Sequence, residues 1–283
     1  MPFNKDLESR SIFVLREAMA SFKRPVVLWS TGKDSTAVLG LIKDAFGNVP
    51  FPVVHIDTGF KFREMYEFRD KIAKEWKLDL RIIKNEKAVS EGMCPEKGKL
   101  ECCTALKTEA LKNFIEKENV DAAIVSIRRD EHDIRSMERY FSPRDKEFRW
   151  HIVKPKTKEE MKKGDAPFVS GQQAELWDLY QTDFGKGCSH VRIHPILHWD
   201  ETDVWDYIRE KNIPINPLYF SRGGERYRSL GCMPCTSPIE SDAKTIDEII
   251  EELKTTKIKE REGRAQDKEQ EYAMEKLRSL GYM

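Results

Sequence analysis

The chain is 283 residues long, 35% charged and 39% hydrophobic, and its 49 basic side chains balance 49 acidic ones to a formal net charge of zero. Length and composition give core enough for one large α/β domain, alone or with an appendage, and the balanced charge excludes a global basic field of the kind that draws nucleic acid, leaving only a local patch open. No apolar signal-peptide core stands near Met1, nowhere does an apolar run reach the roughly 18 residues a spanning helix needs, and six cysteines, at positions 94, 102, 103, 188, 232 and 235, suit a metal or redox role better than a disulfide scaffold; a soluble cytoplasmic protein with no membrane role is expected.

The first strong element is the apolar run ending Val26-Val27-Leu28-Trp29, which stops at Ser30-Thr31-Gly32-Lys33-Asp34-Ser35 before the helix-like stretch from Thr36 to Phe46. Strand, tight polar turn and helix N-terminus in that order make an anion site. Successive backbone N–H groups point into one concavity, and the helix dipole adds about half a positive charge. Lys33 supplies a cation, and Ser30 and Ser35 supply hydroxyls. A Walker A loop needs Gly where Val27 stands and Ser or Thr where Asp34 stands, so that reading fails. The turn resembles instead the Ser-x-Gly-x-Asp-Ser loop of the ATP pyrophosphatase (PP-loop) family, which cleaves ATP between the α and β phosphates. A plain surface turn is the alternative, and the flanking strand and helix weigh against it.

Three more β-type runs, Phe51 to Ile56, Leu78 to Ile83 and Ala122 to Ile127, alternate with helical patterns at Phe62 to Trp76 and Thr104 to Glu118. This spacing predicts an α/β fold with a doubly wound, mostly parallel sheet and a ligand beyond the carboxyl ends of the strands. The strand ends bring Ser30 to Ser35, His55-Ile56-Asp57-Thr58, Lys84-Asn85 and Ser126 to Glu131 to one rim. From Lys154 to Gly187 the chain is charged and Gly-punctuated, readable as a mobile insertion or lid or as a solvated loop. Structure resumes with Val191 to Ile196. Asp200 then caps an amphipathic helix to Lys211, with Trp205 read as core. Residues 1–220 are taken as the nucleotide domain and 221–283 as a helical tail packing on the ATP site, with helices near Thr245 to Leu253 and Asp267 to Leu280.

The stretch Phe51-Pro52 through Asp70 resembles, nearly residue for residue, the small catalytic subunit of bacterial sulfate adenylyltransferase. So do Ala122 to Arg135, Phe148-Arg149-Trp150, Trp199 to Ile208, Leu230 to Ser241, Glu260-Arg261-Glu262-Gly263-Arg264 and Gly281-Tyr282. The resemblance implies ATP and sulfate giving adenosine 5'-phosphosulfate and pyrophosphate, with Mg²⁺ and a GTPase large subunit that drives the uphill step. On that reading Ser30, Thr31, Gly32, Lys33, Asp34 and Ser35 hold pyrophosphate, with Lys33 as charge partner and Asp34 near magnesium or capping its helix. His55, Asp57 and Thr58 lie beside the nucleoside. Arg128, Arg129 and Arg135 offer guanidinium forks to the α phosphate and the incoming oxyanion, although one of Arg128 and Arg129 must point away if they continue a strand, and Arg135 can instead pair with Asp133 or Glu138. Lys33, Asp34, Arg129 and Arg135 are the expected catalytic set.

Two places depart from that family. The Cys102-Cys103 doublet and the second cysteine of Cys232-Met233-Pro234-Cys235 are additions. The combination is similar to that by which assimilatory adenylylsulfate reductases and DNA phosphorothioation proteins hold a 4Fe-4S cluster; zinc and uncoordinated buried thiols are the alternatives, with Cys94 and Cys188 as spares. A reductase lacks a part here, because no cysteine follows Cys235 to attack the sulfonucleotide. A second function therefore stands beside the first: an ATP pyrophosphatase that activates a DNA phosphate for sulfur insertion with a cysteine desulfurase, the lysines from Lys154 to Lys163 being its visible phosphate stripe. A nucleotide-binding regulatory module without turnover is a third, and a homo-oligomer is compatible with all.

Overall fold

The computed structural model describes residues 3–131, 138–149, 180–184 and 187–265. Its main sheet has six strands: β1 (Pro25–Leu28), β2 (Val53–Ile56), β3 (Leu80–Ile83), β4 (Ala122–Ile124), β5 (Phe141–Arg144) and β6 (His190–Ile193). Their order is β3-β2-β1-β4-β6-β5, parallel throughout except for the edge strand β5, which runs antiparallel to β6 with Phe141 opposite Ile193. Chain connections leave β1 toward β2 on one side while β4 lies on the other, so the gap beyond the carboxyl ends of β1 and β4 is the switch point where open α/β sheets bind ligands.

Alternation along β1 explains the two layers. Val27 and Trp29 join one core with residues of α1 (Lys5–Ser21), α2 (Lys33–Phe46) and α3 (Arg63–Glu75), and Val26 and Leu28 join another on the opposite face with Leu111 and Ile115. Between them come the short α4 (Glu86–Ser90) and α5 (Lys99–Cys103); α5 runs through a π turn, Thr104–Thr108, into α6 (Glu109–Glu118). The expected single helix from Thr104 is thus broken, and a wide turn of this kind re-aims side chains at functional sites. Asp200 caps α7 (Glu201–Glu210) through a complete capping box with Asp203, and Trp205 is fully buried, as its spacing predicts. A final described helix, α8 (Ile246–Thr255), is boxed in the same way by Thr245 and Glu248. Beside it, β7 (Glu225–Arg226) and β8 (Ile239–Glu240) pair as a small antiparallel ribbon. Nearly all of the 154–187 insertion and the helix expected over Asp267 to Leu280 lie outside the described residues. Among the described residues no helix is long and apolar enough to cross a membrane.

Candidate active site

A crevice opens at the switch point, floored by Leu28, Val54, Ile56, Val125 and Ile127 and walled on one side by Ser30, Gly32, Asp34 and Ser35. The turn is built from local bonds. Ser30 Oγ and Ser35 Oγ stand 3.1 Å apart, and the hydroxyls of Ser35 and Thr36 donate to the Gly32 carbonyl at 3.1 and 2.8 Å. Thr31 takes a left-handed φ of 66°, costly for a β-branched residue and a mark of a turn held by its surroundings. Gly32 needs no unusual φ. A Cβ there would stand 3.3 Å from Ser30 Oγ and 3.4 Å from Tyr219 Oη, so its absence keeps the mouth of the turn open. First-turn N–H groups have no helical acceptor. Lys33 N–H donates to Tyr219 Oη at 2.9 Å, and those of Asp34 and Ser35 have no acceptor among the described residues.

Behind the turn lies a buried ionic network. Lys33 Nζ reaches Asp34 at 3.1 Å, Glu201 at 3.9 Å and Glu260, with which it makes a short bond. Arg128 gives Nε to Asp34 at 2.7 Å, Nη1 to Asp130 at 2.7 Å and Nη2 to Glu260, while Arg228 Nη2 holds Glu201 at 2.7 Å. Burial alone would lower Lys33, but Asp34, Glu260 and Glu201 hold its ammonium well above the ordinary value. Burial pushes the Asp130 carboxyl up to about 6 in spite of Arg128. Among the described residues four carboxylates thus face three cations, and of these four Asp34 alone lines the crevice. The expected phosphate partners Lys33 and Arg128 are engaged by this network in the structure.

The remaining expected residues separate. His55 points to the face opposite Val54 and Ile56, its Nδ1 2.9 Å from the Trp29 carbonyl; burial, then Lys61, hold it down to about 4, so the ring is neutral. Asp57 folds back to accept from Gly59 N and Tyr66 Oη, both at 2.8 Å. Thr58 Oγ1 lies 3.2 Å from Cys232 Sγ. Arg129 turns away from the crevice, giving Nη2 to the Glu138 carbonyl at 2.8 Å with Nη1 3.0 Å from His198 Nε2. Arg135 lies outside the described residues.

The same crevice is also lined by cations that the motif reading missed: Lys61, Lys107, Arg261 and Arg264. The π turn turns Lys107 inward, where it is 7% exposed. Arg264 anchors Nη1 on the Leu230 carbonyl at 2.7 Å, and its guanidinium rests where a Cβ on Gly231 would stand, so Gly231 is required for this approach. Arg261 pairs with Glu131 at 3.1 Å. Next to Lys107 the two remote cysteine pairs meet. Burial and the nearby Cys103, Cys232 and Cys235 thiols push Cys102 up to about 12, while burial of Cys232 is outweighed by Lys107, Lys61, Thr58 and Arg264, which bring it to about 6. All four are buried, and Cys94 and Cys188 are half-buried elsewhere.

A strand–turn–helix with open first-turn amides at the switch point, in one crevice with lysine and arginine side chains, has the layout of the PP-loop class of nucleotide-handling α/β proteins. The chain belongs to the phosphoadenosine phosphosulfate reductase domain family, whose model matches residues 24–238. It is similar over nearly its whole length to sulfate adenylyltransferase subunit 2 of Methylococcus capsulatus, at 40% identity over 98% of this chain and 97% of the relative, and to the subunit 2 of Proteus mirabilis, at 39% with the same coverage. Two solved structures share the fold: a phosphoadenylyl-sulfate reductase from Candida auris in a phosphate complex (TM-score 0.51, 18% identity, 80% of this chain and 95% of that one) and an FMN adenylyltransferase from Candida glabrata with FAD and inorganic pyrophosphate (TM-score 0.53, 17% identity, 82% and 65%).

Proposed function

We propose that this chain is the catalytic small subunit of a sulfate adenylyltransferase: a cytoplasmic nucleotidyltransferase that moves the AMP group of ATP to sulfate. The observation that carries the reading is a single crevice lined both by the helix-start turn, with Gly32, Asp34 and Ser35, and by Lys61, Lys107, Arg261 and Arg264. ATP lies across the apolar floor with its β and γ phosphates on the Ser30 to Ser35 turn, and the sulfate oxyanion sits against those cations. A sulfate oxygen attacks the α phosphorus as the bond to the β-bridging oxygen breaks, and the pyrophosphate leaves into the turn. Little covalent work falls to the protein; it orients the reactants and neutralises charge. Asp34, on the surplus side of the ionic network and facing the crevice, is the residue suited to hold Mg²⁺, a hard cation that prefers carboxylate oxygen. Residues 1–220 form the nucleotide domain; the tail from 221 completes the site through Glu260, Arg261 and Arg264. Because the product anhydride is less stable than the reactants, a large GTPase subunit is the partner; the name "subunit 2" carried by the relatives supports a second chain.

The four cysteines favour an added 4Fe-4S cluster. Such a cluster gives each iron one thiolate and spreads its ligands wider than a single metal ion does. Lys61, Lys99, Lys107 and Arg264 supply the positive charge that an anionic cluster needs nearby. When bound, it would cross-link the helix after Lys99 to the tail.

Sulfate-dependent exchange of labelled pyrophosphate into ATP tests the main reading. Exchange that requires sulfate supports it. ATP cleavage without sulfate dependence, appearing only with DNA and a cysteine desulfurase, would replace it with backbone activation for sulfur insertion, the second reading that the cysteines favour.

A further inference from the structure

Tyr219 ends the 3-10 turn Pro217–Tyr219, whose start is fixed by Asn216 accepting from Leu218 N at 3.1 Å. The ring is 1% exposed and stands edge-on to the buried Trp205, with centroids 5.4 Å apart and planes at 85°. This packing delivers the phenol to the phosphate turn from 186 residues away, where its oxygen accepts from Lys33 N–H at 2.9 Å and the residue lines the crevice. A phenol that accepts one bond still has its own hydrogen to place. That hydrogen has no acceptor among the described residues, although the group is buried.

We infer that Tyr219 is a substrate-touching residue of the adenylyl transfer: its O–H donates to an oxygen of the pyrophosphate portion of ATP while its lone pair holds the Lys33 amide. The helix-start amide then acts on the anion through the phenol, in a donor chain whose members polarise one another. Two further features support it. Burial keeps the phenol well above its ordinary pKa, so it remains a donor across the working pH range. The Gly32 Cβ position lies 3.4 Å from the hydroxyl and 3.3 Å from Ser30 Oγ, so the space between phenol and turn exists because residue 32 is Gly. A strut that merely braced the turn would place its hydrogen on a protein acceptor. The inference rests on the ATP-site reading above and names the group that reads the leaving pyrophosphate.

The test is Tyr219→Phe in the full-length protein, with pyrophosphate and AMP affinities measured separately by calorimetry and by inhibition of the exchange reaction. Losing one charge-assisted bond should weaken pyrophosphate about tenfold or more while AMP is unchanged, and the ligand-free thermal midpoint should move by no more than about 2 °C. Unchanged pyrophosphate affinity, or equal loss of both ligands, overturns the inference. A wild-type protein that binds no pyrophosphate defeats the ATP-site reading and the inference together, whereas normal wild-type binding with an unaffected variant defeats the inference alone. A second measurement uses the unaltered protein: with ring-labelled tyrosine, the Tyr219 resonance should shift on adding pyrophosphate and not on adding AMP.

Discussion

Glu260 accepts from Lys33 Nζ across 227 residues of chain, and its second carboxylate oxygen accepts from Arg128. One side chain from the tail therefore ties together the turn after β1 and the segment after β4, on the two sides of the switch point.

Because four carboxylates share three cations in that network, its members are not equivalent. Replacing Glu260 by Gln leaves the charges matched and should cost only the lost charge-assisted bonds, about 1.5–3 kcal/mol. Arg128→Met leaves four carboxylates around two buried cations and should cost more, about 3–5 kcal/mol. Urea unfolding of both variants decides this; a Glu260→Gln loss as large as that of Arg128→Met would mean that the charge count is not what governs the site.

Gly32→Ala should separate folding from binding. The backbone there has φ of −76°, which alanine adopts without strain, but the added methyl points between Ser30 and Tyr219. The thermal midpoint should fall by less than about 3 °C, and the KM for ATP should rise at least about tenfold, the loss of a well-made anion contact. An unaltered KM would remove the turn from nucleotide binding.

Protein purified without oxygen should be brown and carry about four irons per chain. Serine at Cys103 or Cys235 should bleach it. Colourless protein with one equivalent of zinc would put a structural zinc site in place of the cluster, and metal-free protein of full stability would make the four thiols mere packing.

Acid should destabilise the fold early. Burial in each case, aided by Lys61 at His55, by Arg192 and Arg144 at His190 and by Arg129 at His198, holds His55, His194 and His198 down to about 4 and His190 to about 2. The unfolded chain protonates histidines near 6.5 and the native chain does not. This stability is complete above about pH 6.5 and is lost as pH falls toward 4. Asp130 and Cys232, both near 6, and Glu201 and Asp203, raised chiefly by burial, take up protons in the native state over part of the same range and offset part of the loss. The urea midpoint should therefore drop between pH 7.5 and pH 5, by about 1.4 kcal/mol of stability per pH unit for each net proton. A flat midpoint over that range would show the histidines to be solvated.

Sequence alone determined the strand, tight turn and helix around Ser30 to Ser35, the alternation of strands with helices and the capped helix with Trp205 inside, because each depends on residues within a few positions of one another. It also held two elements that went unmarked: α1, whose buried Ser11, Val14, Leu15 and Ala18 follow helical spacing, and the edge strand β5, short and interrupted by Pro143, which an edge tolerates because that position need not donate. Only the tertiary structure decided that Lys33 and Arg128 face carboxylates, that His55 turns from the crevice and Thr58 toward Cys232, and that Tyr219, Lys107, Glu260 and Arg264 enter the site. The physical reason is that a backbone turn carries its amides with it, whereas the partner of a buried charge is chosen by which remote segments the core packs against it.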